Sequence, residues 1–416
     1  MDFKDFKYSE LSRKLTTNLN KKEKKNNGIY FTPPETISKN IKLLEPFMKN
    51  ITNVLEPSCG SCEYILKLNS IKPNINITGI ELNKTIFYSI KHYDSDNITL
   101  LNKNYLNHEF DTKFDLIIGN PPYFVMKKQD VEKSYYNYFD GRPNIFILFI
   151  IKSMKLLNNH GILSFVLPKN FLNCLYYDKT RKHIIQNYKI LNIIECDDNY
   201  IETKQKTIIL IIQNEKPIIN IPYSISISEY TIFGTQDNIK RMKILYNNSK
   251  TLVDLGFIVN VGNIIWNKCK KELTDDKNQT HLIYSSDITN NILSIKNYST
   301  NDKDKKNYIN KKGNNSPLLV INRGYGVGSY KFKYCIINEN ENETDPINYL
   351  VENHLMCIKY SKLVASKEIL IKKYKQIIQS FSNNKTVEFI KIYFGNNAMN
   401  TTELCKILPI YDIYDI

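Results

Sequence analysis

A chain of 416 residues is longer than the roughly 250 to 300 residues that one hydrophobic core supports, so two packed domains are expected. Lys and Arg outnumber Asp and Glu by 57 to 42, a formal charge of +15; that is the sign of a phosphate-binding protein, although a composition heavy in Lys, Asn, Ile and Tyr is also what an AT-rich genome encodes. No apolar run nears the roughly 20 residues that cross a bilayer, and the opening MDFKDFKYSELSRKL lacks the apolar stretch of a secretory signal, so a membrane or secreted protein is not expected and the location is read as intracellular.

Residues 1–27 are polar and end in KKEKKNN, which predicts an N-terminal arm, mobile or partly helical. From 28 to 222 short β-branched runs alternate with helical periodicity. The strand candidates are NVLEP (53–57), NITGIE (76–81), ITLLN (98–102), FDLIIGN (114–120), GILSFVLP (161–168), ILNIIEC (190–196) and KTIILIIQ (206–213). Between them lie helix-like segments such as PETISKNIKLL, with Ile37, Ile41 and Leu44 on one face, and NIFILFIIKSMKLL (144–157). Such alternation predicts an α/β domain with a mostly parallel, Rossmann-like sheet, whose ligands bind beyond the carboxyl ends of the strands. After Pro222 the pattern loosens into short strands and polar loops, including the low-complexity stretch 299–316, which reads as a solvated loop, disordered or touching a nucleic acid. A second domain of mixed α+β type is therefore expected over 223–416. Of the eight cysteines only Cys59 and Cys62 lie close together, and no partner pair or histidine spacing suggests a metal; reduced, packed thiols are expected.

Three segments of the first domain carry chemistry. Tyr30-Phe31-Thr32-Pro33-Pro34-Glu35 opens a helix with proline in its first turn, and such an N-terminus can meet a carboxylate; an ordinary helix start is the plainer alternative. Val54-Leu55-Glu56-Pro57-Ser58-Cys59-Gly60 is a strand followed by a small-residue turn that lets an adenosyl cofactor approach the backbone. Glu81, at the end of the next strand, can accept both ribose hydroxyls of such a cofactor. Asn120-Pro121-Pro122-Tyr123 follows the apolar strand FDLIIG directly. An aromatic amine is a poor nucleophile, and two acceptors aimed at its hydrogens hold the nitrogen nearer to tetrahedral. The Asn120 carboxamide oxygen and the Pro121 carbonyl are the natural pair. The prolines stiffen the loop, and Tyr123 offers a ring on which an extruded base can stack. Without that chemistry the segment would be a Pro-Pro turn closing a strand.

The order FTPPE, EPSCG, GIE and GNPPY, continued by Arg142-Pro143-Asn144-Ile145-Phe146, His160 to Pro168, Phe171-Leu172 and the strand Thr207 to Ile212, resembles the TaqI-type, gamma-class N6-adenine DNA methyltransferases. The resemblance covers roughly residues 28 to 215. It implies S-adenosylmethionine as cofactor, with contacts from Thr32, Glu56, Ser58, Glu81 and Pro122, and from Asn104 and Tyr105 at the cofactor's adenine, where the family carries an acid before the aromatic. It implies that Asn120 and Tyr123 hold a flipped target adenine, and it expects a second aromatic face shortly before the strand TIILII, for which Tyr200 is the choice. The C-terminal part resembles the DNA-specificity domain of such enzymes, with Arg323 a base or phosphate contact or, more plainly, one half of an ion pair. Double-stranded DNA is thus the expected partner of a monomeric modification enzyme, with room for a separate endonuclease. Methylation of an RNA base or of a protein glutamine amide is the alternative, since each substrate presents a planar amine.

Overall fold

The computed structural model describes residues 8–198, 200–217, 221–298, 304–323, 331–339, 346–364, 366–394 and 398–411. The chain divides into two compact units, Met1–Lys240 and Arg241–Ile416. The first opens with two short helices, α1 (Glu10–Asn18) and α2 (Lys21–Asn27), whose free N–H groups are capped by the side chains of Ser9 and Asn20. Leu15 and Leu19 are buried, and the Ser12 hydroxyl donates to Glu63 at 2.7 Å, so the described part of the polar arm is packed onto the unit. Helix α3 (Pro34–Leu44) buries Ile37, Ile41 and Leu44, the face read from the sequence.

All seven predicted strands enter one sheet: β1 (Asn53–Glu56), β2 (Asn76–Ile80), β3 (Ile98–Leu101), β4 (Phe114–Gly119), β5 (Leu157–Pro168), β6 (Lys189–Cys196) and β7 (Thr207–Gln213). Their spatial order is β3-β2-β1-β4-β5-β7-β6. The first five run parallel, and β7 lies antiparallel between β5 and β6. Side chains alternate between the two faces. Val54, Leu116, Ile118, Val166 and Ile209 pack with α3 and with α4 (Glu63–Ile71). Leu55, Ile117, Phe165, Leu167 and Leu210 pack with Phe146 and Ile150 of helix Ile145–Lys155 and with Ile184 of helix Asp178–Asn187. Burial of both faces is why these strands read as almost continuous apolar runs. This is a Rossmann-like α/β sheet. One boundary differs from expectation: β5 begins at Leu157, ahead of the predicted 161. Leu157 pairs with Phe114, and the register shifts between Phe114 and Leu116 while His160 takes a left-handed φ of 62°, so the extra residues form a bulge instead of a helix end.

The second unit is mixed α+β. Strands Phe257–Val261, Leu355–Tyr360, Leu318–Asn322 and Tyr334–Ile337 form one antiparallel sheet in that spatial order. A second small sheet combines Leu273–Thr274, Tyr308–Ile309, Thr280–Ile283 and Tyr349–Val351, and helices Lys367–Phe381, Asn384–Tyr393 and Thr401–Lys406 follow. The Lys305 ammonium sits among three rings, 5.3 Å from Trp266, 5.1 Å from Tyr284 and 5.6 Å from Tyr298. The residues that open the low-complexity stretch, 299–303, lie outside the described residues, as do the glycines that follow Arg323. Among the described residues no helix is long and apolar enough to cross a membrane.

The first unit extends past Pro222 through a hairpin of strands Ser224–Ile227 and Tyr230–Phe233. A buried arginine explains why the hairpin stays with it. Arg181 is fully enclosed; its Nε donates to the Thr231 carbonyl at 2.5 Å, and its Nη1 donates to the carbonyls of Phe171 and Cys174, each at 2.9 Å. Asp178 accepts from the Thr231 N–H at 2.7 Å. Replacing Arg181 with Met removes the donor from three carbonyls at once and the buried cation from beside Asp178, so R181M should cost about 3–5 kcal/mol of stability. The shift of the urea midpoint measures this, and a change below about 1 kcal/mol would contradict it.

Candidate active site

The strand order reverses at β1, which pairs with β2 on one side and β4 on the other. A crevice therefore opens where the carboxyl ends of β1 and β4 part, the usual ligand position in an open α/β sheet. The turn after β1 and the loop after β4 meet there: Ser58 Oγ donates to the Asn120 backbone carbonyl at 3.1 Å. A cavity of about 550 Å³ occupies the crevice. Of the residues singled out from the sequence, Ser58, Glu81, Asn104, Tyr105, Asn120 and Pro122 line it, whereas Thr32, Glu56, Pro121, Tyr123 and Tyr200 do not. Arg323 belongs to the second unit, at the end of strand Leu318–Asn322; its N–H donates to the His354 carbonyl at 3.2 Å, and it makes no ion pair with a described residue.

Glu81 is buried at the end of β2. Its Oε2 accepts from the Gly60 N–H at 3.0 Å and its Oε1 from the Asn83 N–H at 2.7 Å. Burial pushes its carboxyl up to about 7, against the pull of these N–H groups. Each oxygen keeps a lone pair for a further donor. Glu56 lies deeper, beneath Gly119, and its Oε2 has no hydrogen-bond partner. Burial, then the neighbouring Cys62, Glu63 and Glu81, raise its carboxyl well above the ordinary range. Tyr105 is enclosed, its hydroxyl 2.7 Å from Ser153 Oγ and its ring 4.9 Å from that of Phe149. Asn104 caps the short helical turn after β3, accepting from the Leu106 N–H at 3.0 Å.

The Asn120 carboxamide is held on both sides. Its Nδ2 donates to the Tyr30 carbonyl at 3.3 Å, and its Oδ1 lies 2.5 Å from the Tyr123 hydroxyl. That hydroxyl also lies 2.7 Å from the Val166 carbonyl, so one hydrogen serves two acceptors. The Tyr123 ring meets Phe146 edge-on, with centroids 6.0 Å apart. Tyr200 is 7% exposed, and its hydroxyl is buried without a hydrogen-bond partner. Tyr200 is thus enclosed, while Tyr123 is half-buried.

Sequence reasoning passed over part of the wall. Asn27 to Phe31 line the cavity beside Phe124, Ile145 and Phe149. Gly28 ends α2 with a left-handed φ of 63°, and a Cβ there would come within 2.6 Å of the Tyr123 backbone nitrogen. A glycine closing a polar helix just before Tyr30-Phe31 was the available signal. Gly28→Ala combines left-handed backbone with a clash against the Asn120–Tyr123 loop, and a loss of at least about 1–2 kcal/mol is expected in urea unfolding; wild-type stability would show that the contact is not made.

Residues 27–201 match the Eco57I restriction-modification methylase family model. Over almost its whole length the chain is similar to two viral proteins. It is 25% identical to the type II methyltransferase M.CvrRI of Paramecium bursaria Chlorella virus XZ-6E, covering 97% of this chain and 99% of that one. It is 26% identical to the modification methylase CviBIII of Paramecium bursaria Chlorella virus NC1A, again covering 97% and 99%. A shorter match, 30% identical, joins 36% of this chain to 29% of the type II methyltransferase M.AccI of Acinetobacter calcoaceticus. The family match spans the turn after β1, Glu81 and the Asn120–Tyr123 loop, so the segment similar to the Eco57I restriction-modification methylases contains every residue that lines the cavity.

Proposed function

We propose that the chain is a site-specific DNA methyltransferase that methylates the exocyclic N6 of an adenine flipped out of the duplex. The observation that carries the proposal is the junction of Ser58 with Asn120, which sets an Asn-Pro-Pro-Tyr loop against the cofactor turn. Similarity to type II methyltransferases extends through the second unit, which favours a duplex reader over an enzyme acting on RNA or on a protein amide. In this reading the second unit recognises the target, Arg323 contacts a base edge or phosphate, and the surplus of positive charge supports binding.

The chain's residues suit S-adenosylmethionine. The cavity lies within the roughly 300–1,000 Å³ typical of ligand clefts and is lined by one buried acid, Glu81. Deeper than the cavity wall lies the unpartnered Glu56 Oε2. Glu81 would take the ribose hydroxyls, Asn104 and Tyr105 the adenine, and Thr32, Glu56, Ser58 and Pro122 the remainder. When bound, the cofactor supplies an electrophilic methyl group. Asn120 Oδ1 and the Pro121 carbonyl then accept the two hydrogens of the target amine, freeing its lone pair for attack. Oδ1 is engaged by the Tyr123 hydroxyl, so arrival of the amine requires that hydroxyl to leave, and the released ring is free to stack on the base.

Asn120→Ala should lower the rate of methyl transfer to DNA by about 10²-fold or more while cofactor affinity changes little; substantial turnover would remove the proposed role. Tyr123→Phe keeps the ring and frees Oδ1, so it should retain base capture, whereas Tyr123→Ala should weaken it by about 1–3 kcal/mol. Fluorescence of 2-aminopurine at the target position reads both. Cofactor affinity should also depend on pH. The ionised Glu81 is the better acceptor, so binding should be full above about 7 and weaken by up to about tenfold per unit below it; calorimetry should find that slope flattened in E81Q, and a flat wild-type profile would count against Glu81 as the ribose acceptor.

A further inference from the structure

Helix α2 carries four lysines, of which Lys21, Lys22 and Lys25 are exposed while Lys24 is 4% exposed. An ammonium withdrawn from water costs several kcal/mol unless it is paired and hydrogen-bonded. Lys24 is both: its Nζ donates to the Thr16 carbonyl and to Glu202 Oε1, the latter at 2.6 Å. Glu202 lies between β6 and β7, two residues beyond Tyr200. The same segment is tied to the N-terminal region elsewhere. Thr36 Oγ1 donates to Asp198 at 2.6 Å, and the Ile201 backbone meets the Tyr8 hydroxyl.

The residue before Lys24 faces the other site. Glu23 Oε1 accepts from Asn83 Nδ2 at 2.7 Å, and the Asn83 N–H is the group that donates to Glu81 Oε1. One turn further on, α2 gives way to Gly28 and the residues that wall the cofactor cavity. Adjacent side chains of one short helix thus hold Asn83, which donates to the acid at the cofactor cavity, and the segment that bears Tyr200.

We infer that Lys24 and Glu202 are positioning residues. Their ion pair fixes the Tyr200 segment for capture of the target base, and α2 links that segment to the cofactor cavity. The inference rests on the DNA-methyltransferase reading and deepens it. Neither residue lines the cofactor cavity, so breaking the pair should impair base capture without impairing cofactor binding.

The test uses the full chain and Glu202→Gln, an isosteric change at a partly exposed site, with Lys24→Met as the second variant and Lys24→Arg as the conservative one. The target site is first identified by sequencing DNA methylated by the wild type. A duplex with 2-aminopurine at that adenine then reads base capture, calorimetry reads S-adenosylmethionine affinity, and hydrogen exchange reads residues 197–206 with saturating cofactor. In E202Q and K24M the exchange of 197–206 should rise, and kcat/KM for DNA and 2-aminopurine capture should fall about 10- to 100-fold, as for a site left loosely held. Cofactor affinity should stay within about twofold, and K24R should restore capture. Unchanged exchange overturns the inference. So does raised exchange with wild-type capture, which would mark the pair as a staple of the fold alone. If the wild type methylates no duplex, the DNA reading falls, while the exchange measurement still decides whether Lys24 holds the segment.

Discussion

The reversal of strand order at β1 is the constraint on which the remaining structure of the first unit depends. Parallel neighbours on both sides of β1 send their connecting helices to opposite faces, so the turn after β1 and the loop after β4 are left facing one another with nothing between them. Ser58 closes that gap with a hydrogen bond to the Asn120 carbonyl. The bond spans two connections that are 62 residues apart in the chain, and through it the rigidity of a sheet buried on both faces reaches a loop already stiffened by two prolines. The Asn120 side chain is held separately, between the Tyr30 carbonyl and the Tyr123 hydroxyl.

Electrostatics in the crevice are set by burial more than by counter-charge. Glu56 and Glu81 both lie where water is excluded, and both are raised for that reason first. They differ in their hydrogen bonds: Glu81 is given backbone N–H groups on each oxygen, while Glu56 keeps one oxygen bare. The first arrangement lowers the cost of ionisation, and the second leaves an acceptor whose desolvation is uncompensated within the protein.

Much of this was legible in the chain. Strands buried on both faces announce themselves as apolar runs, and residues at strand ends inherit their neighbours from the strand order. That is why the turn at Glu56–Gly60, Glu81 and the Asn120–Tyr123 loop could be read together. Helix α2 could not be read in the same way. KKEKKNN has no apolar stripe, and Lys24 is buried only because a carboxylate 178 residues away comes to it. The family resemblance points to Thr32, but the cavity wall there is made by the aromatic pair just before it. Tyr123 and Tyr200 were chosen for their rings, and the direction in which a ring turns is decided by packing that no pattern encodes. The hairpin after Pro222 belongs with the first unit through Arg181, a basic residue on a polar helix whose enclosure depends on carbonyls far along the chain.

The chain contains one tryptophan, and its indole stands beside the ammonium of Lys305 in the second unit. Emission from that ring therefore reports on Arg241–Ile416 alone, while 29 tyrosines are spread along the sequence. Selective excitation of the indole separates the melting of one unit from that of the whole without any attached dye, and quenching by a neighbouring cation makes the signal sensitive to any ligand that draws the lysine away.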